Sequence, residues 1–246
     1  MRTFGGSFRG MLGPSEFAPA SVLDAWDETP ALRGVRLSLP PLARDHSRPG
    51  QVVKLRAAGV GEGFFALASA PAPGGATAEL LLKRGGRVAD AVIAAASPGG
   101  VVEISRPFGE GFPVEEAEGR DVLLFAAGSA IGPIRALVQH VAAHRARFGR
   151  VTLFYGQRRG AEFAYRGEHL DWERRGVRVV LCPSREDDAW RGLRGRVQEV
   201  ARSLAFGGSP PGEAVAFVAG MHAMVEDVRE TLAAAGIPPD RVHANF

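Results

Sequence analysis

Cysteine is nearly absent from this chain of 246 residues, where Cys182 stands alone. One thiol excludes an intrachain disulfide and any cysteine-held iron–sulfur cluster built within the chain. Lysine is scarce too, at positions 54 and 83 only, so arginine supplies almost all the positive charge. The net charge is +3 while the sequence pI is about 9.6, because arginine stays protonated far above neutral pH. The arginines run from Arg2 to Arg241 interleaved with acids, the pattern of a solvated surface rather than a nucleic-acid face. No apolar run reaches the roughly 20 residues of a membrane span. Residues 1–15 lack the continuous apolar stretch of a signal peptide and are expected to form a loose tail, with the cytoplasm as default location. The six histidines show no metal-ligand spacing, and Gly-x-Ser-x-Gly is missing. Neither a metal site nor hydrolase chemistry is expected.

What is present is ample core: 46% hydrophobic and 23% charged residues, enough for one large domain or two ordinary ones. Two rhythms divide the chain. From about Phe17 to Phe112, short strand-length runs alternate with Gly and Pro turns: "SVLDAW", "GVRLSL", "QVVKLRA", "FFALASA", "AELLLK" and "VVEIS". One helical insert, "RVADAVIAAA", interrupts them. This pattern predicts a small antiparallel β-barrel over residues 16–113. After the acidic link "VEEAEGR", buried runs alternate with helices: "DVLLFAA" with a helix across Ile131–Arg147, "RVTLFYG", then "VRVVLCP" with "RVQEVARSL". "AVAFVAG" with "AMVEDVRETLAAAG" and a final "RVHANF" complete the series. Continuous apolar strands between helices predict an α/β domain over 119–246, its parallel sheet covered on both faces.

In such sheets ligands sit at the carboxyl ends of the strands. "AAGSAIGPIRAL", residues 126–137, leaves a strand through a bare turn and enters a helix at once. Small residues there permit close packing; equally, the open amides at a helix start can hold an anion. "YGQRR", "PSRED" and "AGMHAM" fall at the same edge, and four such loops favour a nucleotide. A barrel followed by this sheet also leaves an inter-domain cleft, a common ligand site.

The order of these motifs resembles the ferredoxin–NADP reductase superfamily, which pairs a flavin-binding barrel with a pyridine-nucleotide domain. The resemblance spans roughly residues 17–246. "PGQVVKLR" looks like the family's Pro-Gly-Gln strand, and "RPFGEGF" like its Gly-Pro-aromatic-Gly segment with Arg106 at the first glycine. "AAGSAIGPIRAL" is similar to the glycine-rich nucleotide turn, and "VAGMHAMVEDV" to the Cys-Gly-Pro-x-x-Met segment, with Ala219 replacing cysteine. "PSRED" resembles the loop that meets the adenosine end. The flavin signature Arg-x-Tyr-Ser reads Gly63-Phe64-Phe65-Ala66, so the arginine for the flavin pyrophosphate and the serine facing flavin N5 are gone. The second signature, Gly-x-x-Ser/Thr, reads Gly86-Arg87-Val88-Ala89, without its hydroxyl.

The resemblance implies a flavin oxidoreductase that uses FAD and takes hydride from NADPH or NADH. Phe65 would stack on the isoalloxazine beside Phe64, Ala66 and Leu67, and Leu82 and Lys83 would line the ring edge and ribityl chain. Gly86, Arg87, Val88 and Ala89 would hold the pyrophosphate. Gly128, Ser129, Ala130, Ile131 and Pro133 would cradle the nicotinamide nucleotide, with Gly220, Met221 and Met224 beside them. Arg158, Ser184 and Arg185 would meet its adenosine end, which inclines the reading to NADP over NAD. The final aromatic, Phe246, would cover the flavin. Phe65, Ala66 and Phe246 are thus the residues expected nearest the chemistry. Electrons would pass to a separate carrier, subunit or small acceptor. The second reading is a degenerate member that binds a nucleotide or partner without turnover, since four polar groups of the pattern are lost.

Overall fold

The computed structural model describes residues 17–72, 74–185 and 189–245. Phe246, expected over the flavin, and the tail expected at residues 1–15 lie outside the described residues.

The first half forms a six-stranded sheet in the order β4-β3-β6-β1-β2-β5. Its strands are β1 (Phe17–Thr29), β2 (Leu32–Ser38), β3 (Val52–Ala57), β4 (Gly61–Ala66), β5 (Thr77–Lys83) and β6 (Val101–Ser105), all paired antiparallel. Strand alternation sends Ala20, Val22, Val35, Leu37, Val53, Leu55, Leu80 and Leu82 to one shared core. Helix α1 (Arg87–Ala95) closes that core with Ala96 and the fully covered Val92. The expected strand "FFALASA" stops at Ala66. Leu67 then leaves β3 and bridges to Leu80 of β5, so the two edge strands of the sheet meet. An edge that pairs again exposes no template for further strands.

The second half is a five-stranded parallel sheet, ordered β11-β10-β7-β8-β9. Its strands are β7 (Asp121–Ala127), β8 (Val151–Gln157), β9 (Val177–Pro183), β10 (Ala214–Ala219) and β11 (Val242–Asn245). In β7, Val122, Leu124 and Ala126 face one core and Leu123 and Phe125 the other, which is why the run reads as continuously apolar. Helices α2 (Ile131–Ala143) and α3 (Arg166–Arg174) cover the first face. Helices α4 (Val197–Ser203) and α5 (His222–Ala234) cover the second.

Two elements differ from the sequence reading. The helix expected to reach Arg147 ends at Ala143, because His144 (φ −120°, ψ 30°) leaves the helical region before a 3-10 turn at Arg145–Arg147. Helix α3 is additional: "RGEHLDWER" buries only Trp172, so it carries almost no apolar period to read.

The halves share a core. Leu32, Ala68 and Leu81 of the barrel side pack with Ile131 and Ile134 of α2. A Cβ on Gly132 would lie 3.3 Å from that of Ala68, so the small residue permits this approach. The expected α2 turn therefore also serves packing.

Candidate active site

Strand order reverses between β7 and β10, and helices start at the carboxyl ends of both. β7 leaves through Gly128, whose φ of +62° favours glycine although nothing would touch an added Cβ. A 3-10 turn at Gly128–Ala130 then enters α2, and no side chain caps that helix start. The Ile131 amide bonds back to the Gly128 and Ser129 carbonyls and Pro133 has no N–H, so the amides of the turn itself are the ones suited to an anion.

The turn is held from below. Tyr155, buried in β8, donates its hydroxyl to the Gly128 carbonyl at 3.3 Å. The same oxygen accepts from Gln157 Nε2 at 2.8 Å and from the Ala164 amide at 3.3 Å. Burial pushes this phenol's pKa up to about 12, outweighing the two donors that lower it. At neutral pH it is a fixed, uncharged clamp.

A cleft of about 750 Å³ opens at this edge. Of the expected residues, Lys83, Gly128, Ser129, Ala130, Arg158, Ser184, Gly220, Met221 and Met224 line it together. Met224 packs onto Gly220, where an added Cβ would run into its sulfur. The Ser184 amide donates to the Gln157 carbonyl and the Arg185 amide to that of Arg158, both at 2.9 Å. These bonds tie the β8 and β9 loops into one rim. Residues that sequence reasoning missed also contribute: Thr29, Ala31 and Leu32 form the barrel wall, and Gly195 and Gln198 flank Arg196 at the start of α4. Arg196 and Gln198 both reach Asp227, at 3.3 and 3.1 Å. A hydroxyl inside the apolar run "TLFYG" was the available signal for Tyr155; nothing in the sequence marked the barrel wall.

The other expected residues lie apart from this lining. Leu67 and Leu82 are fully covered in the barrel core, and Ile131 and Pro133 are buried beneath the turn. Phe64 is 59% exposed, edge-on to Phe108 with Lys54 over its face. Phe65 lies on the other face of β4, packed against the barrel core with Val88. Ala66 ends β4, and from Leu67 the chain runs to Ala68 against α2.

Residues 124–230 match the model of the oxidoreductase NAD-binding domain. The fold as a whole matches the flavohem-like FAD/NAD-binding domain of nitric oxide dioxygenase from Vibrio cholerae. That likeness has a TM-score of 0.81 and 21% identity, over 93% of this chain and 98% of the other. A ferredoxin NADP+ reductase from Neisseria gonorrhoeae gives 0.77 at 21% identity, over 94% and 100%. In sequence, the gamma subunit of sulfhydrogenase 1 from Pyrococcus furiosus is 34% identical over 177 residues, which are 70% of this chain and 60% of that subunit. The fold is therefore of the ferredoxin reductase type. The chain spans less than two thirds of that curated relative.

The Neisseria gonorrhoeae reductase binds FAD and NADP, which sets a test for the residues present here. The ring end fits. The cleft joins the barrel wall at Ala31, Leu32 and Lys83 to the small residues at the sheet's edge. The pyrophosphate end does not. Gly63 offers no side chain, and Phe65 and Val88 already crowd the position of its Cβ, at 3.0 and 3.3 Å. Arg87 donates to the Val60 carbonyl at 2.6 Å and Arg84 to Asp27 at 2.8 Å.

Proposed function

We propose that this chain is an NAD(P)H-dependent oxidoreductase that passes reducing equivalents to a flavin and on to an acceptor. The observation that carries the reading is the cleft between the barrel wall and the nucleotide edge at the strand-order reversal. A flavin there would accept hydride and release electrons singly or in pairs. The protein's own part is placement. The open amides of the Gly128–Ala130 turn, at the positive end of α2, would hold the nucleotide phosphates. The Tyr155 clamp fixes that turn, and Gly220 in the cleft lining would leave room for the nicotinamide.

Arg158, Ser184 and Arg185 surround the rim where an adenosine 2′-phosphate would lie, which supports NADPH over NADH. The likeness to a hydrogenase gamma subunit supports an onward carrier or partner subunit, as one cysteine cannot build a cluster within this chain. Among the described residues no helix is long and apolar enough to cross a membrane.

The test is anaerobic. Flavin and NADPH are mixed with and without the protein, and the visible flavin band is followed. Protein-dependent bleaching, faster with NADPH than NADH, is the expected result. Tight nucleotide binding with no bleaching would favour the second reading, a binding module without turnover.

A further inference from the structure

The barrel has not merely lost the groups that hold a dinucleotide's pyrophosphate; other atoms of the chain stand in their place. The ring of Phe65 folds back over Gly63 toward α1, so that a Cβ at position 63 would lie 3.0 Å from Phe65 Cε2 and 3.3 Å from Val88 Cγ1. Apolar side-chain atoms thus crowd the position that a side chain at residue 63 would take. At that start, the Gly85 amide donates to both oxygens of Asp90, at 2.9 and 3.2 Å. An internal carboxylate occupies the turn and sets negative charge at the helix end that would otherwise attract a phosphate. Ala89 is nearly buried and has no hydroxyl. The Arg87 and Arg84 guanidinium groups are bonded to Val60 and Asp27.

The consequence concerns selectivity. A charge-assisted hydrogen bond to phosphate contributes about ten- to a hundredfold in affinity, and both nearby guanidinium groups are bonded elsewhere, which leaves a phosphate only the uncapped amides at the start of α1 beside Asp90. Resting on the flavin reading above, we propose that this protein holds a flavin by its ring alone. The flavin is then an exchangeable substrate rather than a resident FAD. Hydride would pass from C4 of the nicotinamide to flavin N5, and a proton from solvent to flavin N1. The products are NAD(P)+ and a dihydroflavin, which leaves. The substrate class is any isoalloxazine, whatever its phosphate tail.

Riboflavin, FMN and FAD are each titrated into the full chain, with flavin fluorescence as the readout. Dissociation constants within about fivefold of one another are expected, because the tail adds little when its anchors are missing. The flavin should also be removed by dialysis. Asp90→Asn keeps an acceptor for the Gly85 amide but removes the charge. It should tighten FAD and FMN severalfold and leave riboflavin unchanged, whereas a purely structural role would shift all three together. FAD binding thirtyfold or more tighter than riboflavin would overturn the inference while leaving the flavin function standing. Failure of all three flavins to bind would overturn both.

Discussion

Arg135 of α2 and Glu79 of β5 meet at 2.7 Å in the buried seam between the two halves. The same guanidinium donates to the Ala68 carbonyl at 2.7 Å and to both oxygens of Glu168, and it lies over the ring of Tyr165. Burial opposes this charge, but the bonds to Glu168 and the nearby carboxylates hold the pKa above arginine's ordinary value. One side chain thus joins β5, the chain after β4, and α3. It fixes the barrel wall against the helix that starts at the nucleotide turn.

Removing that side chain leaves Glu79 with only its half-exposed partner Arg36, at 2.7 Å, and strands the Ala68 carbonyl and Glu168. Arg135→Ala should destabilise the protein by about 3–5 kcal/mol, the range for breaking a buried pair. Glu168→Ala, at a partner whose side chain is 35% exposed, should cost less than about 1 kcal/mol. Urea unfolding of the two variants checks the order. Equal losses would mean that the Glu79 contact carries no special weight.

The only two tyrosines of the chain, Tyr155 and Tyr165, are both buried, and burial raises both phenol pKa values, that of Tyr155 to about 12. The native protein should therefore show almost no tyrosinate absorbance near pH 10, where the unfolded chain titrates. Because the folded pKa lies above the unfolded one, the contribution of Tyr155 is complete below about pH 10. It is lost as pH rises through about 12. A spectrophotometric titration checks this, and a native midpoint near 10 would contradict the burial.

Tyr155→Phe should leave the fold in place but leave the Gly128 carbonyl only the Ile131 amide and strand the donors of Gln157 and Ala164. A loss of about 1–3 kcal/mol in stability follows from unpaired buried polar groups. Affinity for NADP+ should fall severalfold with it, measured by calorimetry. Unchanged affinity would show that the clamp does not position the turn.

Arg185→Ala should raise the Michaelis constant for NADPH about tenfold and leave that for NADH nearly unchanged, since only NADPH carries the extra phosphate. Steady-state kinetics with both nucleotides decide. An equal change in both would remove Arg185 from the 2′-phosphate site.

These variants also separate what could be read in the sequence from what could not. β7, β8 and β10 announce themselves because each is apolar on both faces, and the nucleotide turn because glycine and small residues interrupt that pattern. Their order was enough to indicate the ferredoxin reductase type of fold. Helix α3 was illegible, as its single buried residue, Trp172, sets no period. The Arg135–Glu79 pair was hidden for another reason: its partners are 56 residues apart, and only the docking of α2 on β5 joins them. On the barrel side, the motif positions 63 to 66 could be found by their spacing. That Phe65 folds over Gly63 depends on its packing with Val88, which spacing does not encode.

The most direct test of the central claim is hydride transfer with NADPH carrying deuterium at C4 of the nicotinamide. The two C4 epimers are mixed separately, without oxygen, with the protein and a saturating flavin. A cleft that presses one nicotinamide face against a ring held by the barrel predicts protein-dependent bleaching that is slowed for one epimer and unaffected for the other. Bleaching equally insensitive to both epimers, or none despite saturating nucleotide, would contradict the account.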